Sequence, residues 1–389
     1  MRKLKVAHII TMLELGGAQG NTLYTVRHLD RTKFDVLLIC GKGGILDEEA
    51  RSIKDIKLYF VPTLIRHINP LYDILAFFHL FFILLKERPT IVHTHSSKAG
   101  ILGRLSAWLS RRPLILHTFH GFGFNPYQRP FVRRTFILAE KLAAVVTTKF
   151  IAVSKDNIYT AVKLGIKSEK DYILIRSGIE MEKFMNVAVD VNEYRRALEI
   201  DDDDKVVVTV GPFKKQKNLG DYIEVASIVS SRMRNVKLKF LLIGDGVLRE
   251  MLEKKVKLLN LEEVVKFLSW RRDVPQIFKL STLFVLTSLW EGLPRAAVEA
   301  LVSGLPVVAY DVDGLRDIII NGVNGYRVKV RDKEALAEKI VELLTDKNKY
   351  MEMCENAKRS INYEEFDIRS MVRQQEKLYL QLVNEKIKQ

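Results

Sequence analysis

Short apolar runs alternate with stretches of helical length along the chain. Within each run the apolar character is continuous, which is typical of strands that helices cover on both faces. The first series comprises Val6–Ile10, Val36–Ile39, Ile91–His93, Leu114–His117, Phe150–Val153 and Ile173–Ile175, and the second comprises Val206–Val210, Phe240–Ile243, Val264–Phe267, Leu283–Leu286 and Val307–Tyr310. The pattern predicts βαβ units and parallel sheets.

A polar segment, Asn186–Lys205, separates the two series and contains four consecutive aspartates. We interpret this segment as a solvated connection between two domains. Two domains are expected because 389 residues exceed what one hydrophobic core usually serves. The sequence thus predicts an α/β chain with two Rossmann-like domains, residues 1–185 and 186–365. A charged helix is expected over residues 366–389, where it can pack back on the first domain.

The net charge of +15 calls for an anionic partner such as nucleic acid, an anionic membrane or a phosphorylated substrate. Nucleic acid is disfavoured, because the basic residues are scattered and no RNA-binding aromatic motif or Cys/His finger accompanies them. Cys40 and Cys354 are isolated, which indicates neither a disulfide framework nor a zinc site and fits a reducing cytoplasm. We recognise no signal peptide at the N-terminus.

The most membrane-like stretch is Ile74–Pro89, whose apolar part falls short of the roughly 20 residues that a spanning helix needs. Two interpretations stay open. The stretch is either a helix of an α/β domain or an exposed apolar and basic surface that touches a membrane interface.

Ligands of open parallel sheets bind beyond the carboxyl ends of the strands, so the loops at those ends are the first candidates for a site. Gly16 and Gly17 follow the first strand, where their backbone N–H groups can approach a phosphate or simply form a tight turn. His93 and His95 end another strand, and His120 follows the next.

These histidine loops contain no acidic or cysteine residue, which disfavours a metal site. Hydrogen bonding to hydroxyls or phosphate is favoured, since imidazole both donates and accepts. Lys98, beside Ser96 and Ser97, suits anion binding at a helix N-terminus, although Ser96 can equally be a helix cap.

In the second half, Lys214, Lys215 and Lys217 follow a strand end, where they can grip a diphosphate or form a basic exposed loop. Gly244 marks a turn that lets the backbone approach a ligand closely. The segment Trp270–Asp273 can bracket a planar base, but a surface loop would look the same.

The stretch "WEGLPRAAVEALVSGLP" carries two glutamates, Glu291 and Glu299. Pro294 suits the first turn of a helix and Gly304 suits its C-terminal end, so Glu291 is predicted in the preceding loop. Glu299 lies on a narrow polar stripe of an otherwise apolar helix. Such a stripe either faces solvent or lines a cleft.

"EGLPRAAVE" resembles the E-x7-E signature of retaining glycosyltransferases with the GT-B fold, specifically family 4, which is also called group 1. The segments "GGAQ", "HTHSSKAGILGRLSA", "HTFHGFGF", "SGIEMEKF" and "IGDGVLRE" occupy the order and spacing that are typical of this family. The resemblance covers the chain from Val6 to about Val330. It implies two Rossmann-like domains that face a cleft, the first binding the acceptor and the second the nucleotide sugar.

By this resemblance, Glu299 holds the ribose hydroxyls and Glu291 contacts the donor sugar. Expected catalytic residues are His120, Glu291 and Lys217. Expected donor-binding residues are Gly16, Gly17, Lys214, Lys215, Gly244, Arg271, Arg272, Gly292, Leu293 and Glu299. Expected acceptor-binding residues are His93, His95 and Lys98, and no metal ligand is expected.

The chain departs from the family pattern at three places. Pro212 stands where relatives often have the phosphate-binding arginine, and Lys214 or Lys215 can supply that charge. Ser177 replaces the usual asparagine of the "NGID"-like turn. Asp311 to Asp313 matches a DxD metal motif in form, but its position after the E-x7-E helix identifies an Asp-Gly turn.

The resemblance implies a retaining, metal-independent glycosyltransferase without a cofactor. It is expected to move a sugar from a nucleotide-diphosphate sugar, a UDP-sugar being favoured, to a glycan or lipid-linked acceptor in surface polysaccharide synthesis. The protein is expected in the cytoplasm, at or near the inner membrane face. A nucleotide-sugar epimerase or hydrolase of the same fold and a non-catalytic nucleotide-sugar-binding protein are the alternatives. The base, sugar, acceptor, linkage and oligomeric state stay open.

Overall fold

The computed structural model describes residues 3–387, which divide into two compact units. The first unit extends to Gly178 and resumes at Ile368, and the second unit comprises Ile179–Asp367. Each unit is built on one parallel sheet, which confirms the predicted α/β class with two Rossmann-like domains.

The first unit contains a seven-stranded sheet in the order β3-β2-β1-β4-β5-β6-β7. Its strands are β1 Leu4–Ile10, β2 Phe34–Cys40, β3 Ile56–Phe60, β4 Ile91–His95, β5 Leu114–Phe119, β6 Lys149–Ala152 and β7 Tyr172–Leu174. Its connecting helices are α1 Gly17–His28, α2 Asp47–Arg51, α3 Pro70–Glu87, α4 Ser97–Leu109, α5 Pro130–Val145 and α6 Lys155–Lys163. The strand order reverses between β1 and β4, so the loops after these strands diverge and leave a crevice.

The second unit contains a six-stranded sheet in the order β10-β9-β8-β11-β12-β13. Its helices are α7 Met181–Met185, α8 Val191–Ala197, α9 Leu219–Arg232, α10 Arg249–Leu258, α11 Val274–Leu280, α12 Arg295–Val302, α13 Lys333–Thr345, α14 Lys347–Ser360 and α15 Tyr363–Phe366. Its strands are β8 Lys205–Val210, β9 Leu238–Ile243, β10 Val265–Phe267, β11 Leu283–Leu286, β12 Val307–Tyr310 and β13 Gly325–Val328. Here the order reverses between β8 and β11.

The C-terminal helix α16, Ile368–Ile387, belongs to the first unit. Its buried Met371, Val372 and Tyr379 join the hydrophobic cluster that also contains residues of β1 and β2. The last two residues of the expected helix, 388 and 389, lie outside the described residues.

Two details differ from the expectation. The first unit ends at Gly178 rather than at residue 185, because α7 packs against α12 of the second unit. The edge strands β3 and β13 were not predicted. Each is only partly buried, and β13 contains a glycine and an arginine, so neither shows the continuous apolar run of a central strand.

Helix α3 contains the apolar stretch noted in the sequence. It packs on the first unit through one narrow stripe of Ala76, Leu80 and Leu84. Seven large hydrophobic side chains outside that stripe are exposed: Leu71, Tyr72, Ile74, Leu75, Phe78, Phe82 and Leu85. None of the helices within residues 3–387 has the length and apolar character needed to cross a bilayer.

A fully buried ion pair joins α4 to α5. Arg104 and Glu140 are in contact at 2.5 Å between Nη2 and Oε2, and their side chains are 0% and 3% exposed. The guanidinium also donates to the backbone oxygen of Gly100 through Nε at 2.8 Å. Since both charges have lost their water, each depends on the other.

We therefore expect Glu140→Ala to lower the free energy of unfolding by about 3–5 kcal/mol, because Arg104 is left buried without its partner charge. The double variant Arg104→Met/Glu140→Leu removes both charges and should recover most of that loss. The urea midpoint of the full chain measures both effects. Equal destabilisation by the single and the double variant would contradict this account.

Candidate active site

An ion pair lies at the strand reversal of the second sheet. Lys217 is in the 3₁₀ turn Lys215–Lys217 that follows β8, and Glu291 is in the loop that follows β11. Lys217 Nζ lies 2.6 Å from Glu291 Oε1, and the two side chains are 12% and 8% exposed. The structure thus brings together two of the residues that the family resemblance implies in catalysis.

Gln216 fastens the same two loops together. Its Nε2 donates to the backbone oxygen of Trp290 at 2.8 Å and to Glu291 Oε2 at 3.3 Å. Its own backbone oxygen accepts from the N–H of Leu289 at 2.8 Å. Sequence reasoning missed Gln216, although its position between Lys215 and Lys217 in the same strand-end loop was a usable signal.

Glu299 lies on α12, where Arg295 one turn earlier approaches it to 3.8 Å. Burial raises the pKa of the Glu299 carboxyl, and Glu180 acts in the same direction while Arg295 opposes the shift. Pro294 precedes the helix and Gly304 follows it with φ +85°, as predicted. A carboxyl that is partly buried with a weak ion-pair partner retains acceptor capacity for a ligand hydroxyl.

Glycines allow the strand-end loops of this unit to approach one another. Gly244 has φ +139°, and a Cβ there would lie 2.0 Å from the backbone oxygen of Gly211. Gly314 has φ +77°, and a Cβ there would lie 1.9 Å from the backbone oxygen of Gly292. The buried loop of Gly292 and Leu293 is therefore held in place by the Asp-Gly turn.

The other expected donor-binding side chains of this unit lie further out. Lys214 is half-buried and Lys215 is exposed. Arg271 is bound by both carboxylate oxygens of Asp273, at 2.8 and 2.6 Å, and Arg272 is exposed. The charge of Arg271 is thus already compensated within its own loop.

Asp311, the first aspartate of the DxD-like segment, is held in two ion pairs. Its carboxylate contacts Arg327 at 2.7 Å and Arg316 at 3.0 Å. The carboxylate therefore serves to fix the turn after β12.

The strand reversal of the first sheet lies between β1 and β4. The hydroxyls of Thr11 and Ser96, at the ends of these strands, are 2.7 Å apart. Gly16 precedes α1 in an extended conformation, and Gly17 is the first residue of that helix. Both glycines are exposed, so their backbone N–H groups are accessible at a helix N-terminus.

A cluster of imidazoles lies beside this reversal. His8 of β1 pairs in register with His93 of β4, and His95 is two residues further along the same strand. His8 Nδ1 lies 3.0 Å from His95 Nε2, and His95 Nδ1 lies 3.1 Å from His120 Nε2. Burial lowers the pKa of His8 to about 3 and that of His95 well below 6.5, so both rings are neutral at pH 7. The sequence reading did not single out His8.

His8, His93 and His95 are the candidate metal ligands among the described residues. Five of their six ring nitrogens lie within hydrogen-bond distance of a partner, however, and His8 Nε2 is the exception. His93 contacts Tyr379 through Nδ1 at 2.5 Å and Thr118 through Nε2 at 2.7 Å, and His95 uses both ring nitrogens. The cluster therefore suits a hydrogen-bonded network, and the absence of a metal requirement stays a prediction.

Two expected acceptor-binding residues are placed elsewhere. His93 is completely buried with both nitrogens bonded inside the unit, so it cannot reach an acceptor directly. Lys98 is ion-paired with Asp73 of α3 at 2.6 Å and also donates to the backbone of His67, so its ammonium joins α3 to α4. His95 is buried but lines a small cavity together with His120.

Family models match both halves of the chain. The model described as Glycosyltransferase Family 4 matches residues 15–183, and the model described as Glycosyl transferases group 1 matches residues 190–360. A galactosyltransferase of Escherichia coli, UDP-Gal:alpha-D-GlcNAc-diphosphoundecaprenol alpha-1,3-galactosyltransferase, is 32% identical over 89% of each chain. The chain belongs to the group 1 glycosyltransferases. A second protein similar to this chain, the capsular polysaccharide biosynthesis glycosyltransferase CapM of Staphylococcus aureus, is 25% identical over 90% of each chain.

Solved structures agree on the fold of this glycosyltransferase. HepE of Anabaena in complex with UDP and glucose has a TM-score of 0.82, with 20% identity over 97% of this chain and 99% of its own. WaaG, a glycosyltransferase involved in lipopolysaccharide biosynthesis, has a TM-score of 0.77 and 17% identity over 95% of this chain and 98% of its own. These similarities confirm the predicted GT-B type of fold.

The variant Glu299→Gln tests whether the carboxylate on α12 contributes to nucleotide-sugar binding. The pKa of the Glu299 carboxyl is raised above its ordinary value of 4.5 in the folded protein. Ionisation of this carboxyl therefore lowers the free energy of unfolding as the pH rises above 4.5, and it has no such effect at a pH well below that value. We expect the glutamine variant to unfold at or above the parent's Tm at pH 8, with the difference vanishing near pH 4. Nucleotide-sugar binding, measured by calorimetry, should nevertheless weaken at least about tenfold.

Glu250→Gln is the matched control, since Glu250 is an exposed glutamate that is ion-paired to Lys254 four residues later. It should leave binding unchanged. Unaltered binding in Glu299→Gln would remove the assignment of this residue to the donor site.

Proposed function

We propose that this glycosyltransferase moves a sugar from a UDP-sugar to the hydroxyl of a lipid-linked glycan acceptor, with retention of anomeric configuration and without a metal ion. The observation that carries the proposal is the largely buried Lys217–Glu291 pair at the strand reversal, with Glu299 on the helix that follows. This edge of a parallel sheet is where such folds bind phosphorylated ligands.

The comparisons support the donor and the acceptor class. The Escherichia coli relative uses UDP-Gal and a diphosphoundecaprenol-linked sugar. A relative from Campylobacter jejuni, 24% identical over 82% of this chain, is an N-acetylgalactosaminyltransferase that acts on a diphospho-undecaprenol-linked sugar. HepE has been solved with UDP-glucose. A diphosphate on the acceptor as well as on the donor is consistent with the net charge of +15.

In the proposed reaction, the bond between the sugar's anomeric carbon and the diphosphate breaks while the acceptor oxygen attacks from the same face. The leaving diphosphate takes the proton of the acceptor hydroxyl. Lys217 has three N–H donors, so it can remain bonded to Glu291 and still donate to the diphosphate. Glu291, held by Lys217 and Gln216, presents its carboxylate to the donor sugar's hydroxyls.

The decisive experiment incubates the full chain with UDP-, GDP- and ADP-sugars, with and without a GlcNAc-diphospho-polyprenol acceptor, and measures nucleotide release. We expect release from a UDP-sugar only when the acceptor is present, with unchanged rates in excess EDTA. The anomeric proton coupling of the product, measured by NMR, should report the same configuration as the donor.

Each alternative gives a different result in this assay. Release without acceptor identifies a hydrolase, and an altered sugar without transfer identifies an epimerase. Donor binding without turnover, across several acceptors, identifies a non-catalytic binding protein. An inverted linkage or loss of activity in EDTA would contradict the retaining or metal-independent part of the proposal.

We further propose that α3 brings the protein to the cytoplasmic face of the membrane. It exposes seven large hydrophobic side chains, and α4, which packs on α3, exposes Trp108 and Leu109. Exposed basic residues lie at or near the ends of α3, α4 and α5, namely Lys86, Arg88, Arg111, Arg129 and Arg134. Exposed apolar side chains accompanied by exposed basic residues suit an anionic lipid surface.

The variant Phe78→Glu/Phe82→Glu should bind vesicles of anionic phospholipid at least about tenfold more weakly, because two exposed rings can no longer enter the interface. Leu258→Glu, at an even more exposed apolar position on α10, is the control and should bind as the parent does. Sedimentation with vesicles at low salt measures the difference. Equal sedimentation of both variants would contradict a role for α3.

A further inference from the structure

We infer that Arg295, the first residue of α12, binds the diphosphate of the nucleotide sugar. The inference rests on the proposed glycosyl transfer, because it takes the donor to be a nucleotide-diphosphate sugar. It adds to the donor site a cation that the family resemblance did not assign, in place of the arginine that relatives often carry where this chain has Pro212.

The guanidinium of Arg295 forms no hydrogen bond within residues 3–387, although its side chain is only 23% exposed. The contact of its Nη2 with Glu299 Oε1 measures 3.8 Å, which is too long for a hydrogen bond. Its Nε is buried without a partner, whereas Nη1 and Nη2 are not buried. A guanidinium has five N–H donors, and buried donors in folded proteins are as a rule bonded. Arg295 is therefore a largely buried cation whose donors are available to an acceptor from outside the chain.

Other arginines at the strand ends of the same sheet already use their donors. Arg249, after β9, forms three hydrogen bonds of 2.7–2.9 Å to side chains. Arg271, after β10, is bound by both carboxylate oxygens of Asp273 at 2.8 and 2.6 Å. These bonds fix both side chains within their own loops. A ligand that binds Arg295, in contrast, does not have to break a hydrogen bond.

Helix α12 presents Arg295 and Glu299 on one face. Arg295, Ala296 and Glu299 are partly exposed, whereas the other five residues of this helix are buried. Glu299 is expected at the ribose and Glu291 at the donor sugar, and the diphosphate joins these two parts of the donor. Arg295 comes four residues after Glu291 and four residues before Glu299. This spacing fits a contact with the diphosphate between the two glutamates.

The diphosphate of the donor carries two negative charges, so the ammonium of Lys217 is not sufficient for it. That ammonium lies 2.6 Å from the Glu291 carboxylate, which compensates much of its charge. The loop of Glu291 leads directly into α12, so Arg295 and Lys217 follow the two strands that flank the reversal. A guanidinium can bind two phosphate oxygens at once, which an ammonium cannot do in the same planar geometry. Arg295 thus supplies from α12 the guanidinium that the loop of Pro212 lacks.

Calorimetry of the full chain with UDP and UMP, and ligand-observed NMR for the weaker uridine, test this contact. Arg295→Met removes the charge, so we expect it to bind UDP at least about tenfold more weakly and uridine as the parent does. Arg295→Lys keeps the charge without the planar fork and should bind UDP with intermediate affinity. If the chain selects another base, the corresponding guanosine or adenosine series replaces the uridine series.

Uridine separates a contact with the diphosphate from an effect through Glu299. If Arg295 only held the Glu299 carboxylate against the ribose, Arg295→Met would weaken the binding of uridine and UDP by the same factor. Such an equal loss would overturn the inference. Unchanged UDP binding in this variant, or a parent chain that binds none of UDP, GDP and ADP, would overturn it as well.

Arg232→Met is the matched control, since Arg232 lies in the last turn of α9 and is ion-paired with Glu334. It should bind UDP as the parent does. Thermal unfolding without ligand checks the fold, and Arg295→Met should not lower the Tm, because it removes no hydrogen bond. Should this variant fail to fold, Arg295→Lys and Arg295→Gln decide on the same ratio of UDP to uridine affinity.

The inference and the proposed function fail in different ways. If UDP binding depends on Arg295 but the chain transfers no sugar, the proposed function fails while the contact with the diphosphate stands. If the chain transfers sugar from a UDP-sugar and Arg295→Met keeps the parent's kcat and KM for that donor, the inference fails while the proposed function stands.

Discussion

The contact between Lys217 and Glu291 organises the second unit's site. Parallel strands end at the same edge of a sheet, and at the reversal between β8 and β11 the two following loops leave in different directions. An ion pair at 2.6 Å, reinforced by Gln216, holds these loops together across the crevice. The start of α12, and with it the placement of Glu299, follows from the position of that second loop.

In the first unit, uncharged groups instead of an ion pair join the loops at the strand reversal. The hydroxyls of Thr11 and Ser96 contact each other at the ends of β1 and β4, where the strand order reverses. The imidazoles of His8 and His95, on the same two strands, also contact each other. Burial keeps these rings uncharged. The second unit's sheet edge thus presents a pair of opposite charges, whereas the first unit's sheet edge presents uncharged hydrogen-bonding groups.

Central strands and the E-x7-E helix could be predicted because burial on both faces leaves a continuous apolar run, and because Pro294 and Gly304 have strong positional preferences. The edge strands β3 and β13 could not be predicted in this way, because partly exposed strands lack a continuous apolar run. The sequence also suggested that His93 contacts a ligand, because its position at a strand end suits a binding residue. The sequence shows that it ends a strand but not which face of the sheet the ring occupies, and here that face is covered by Tyr379.

The order of the residues by itself determined the α/β class, the two-domain plan and the family, since these depend on periodicity and on motifs whose members are close in the chain. Only the tertiary structure decided which polar side chains meet. Lys217 and Glu291 are 74 residues apart and His8 and His95 are 87 apart, so sheet register rather than local pattern joins them. Register depends on the packing of every strand at once, and no single segment of sequence carries it.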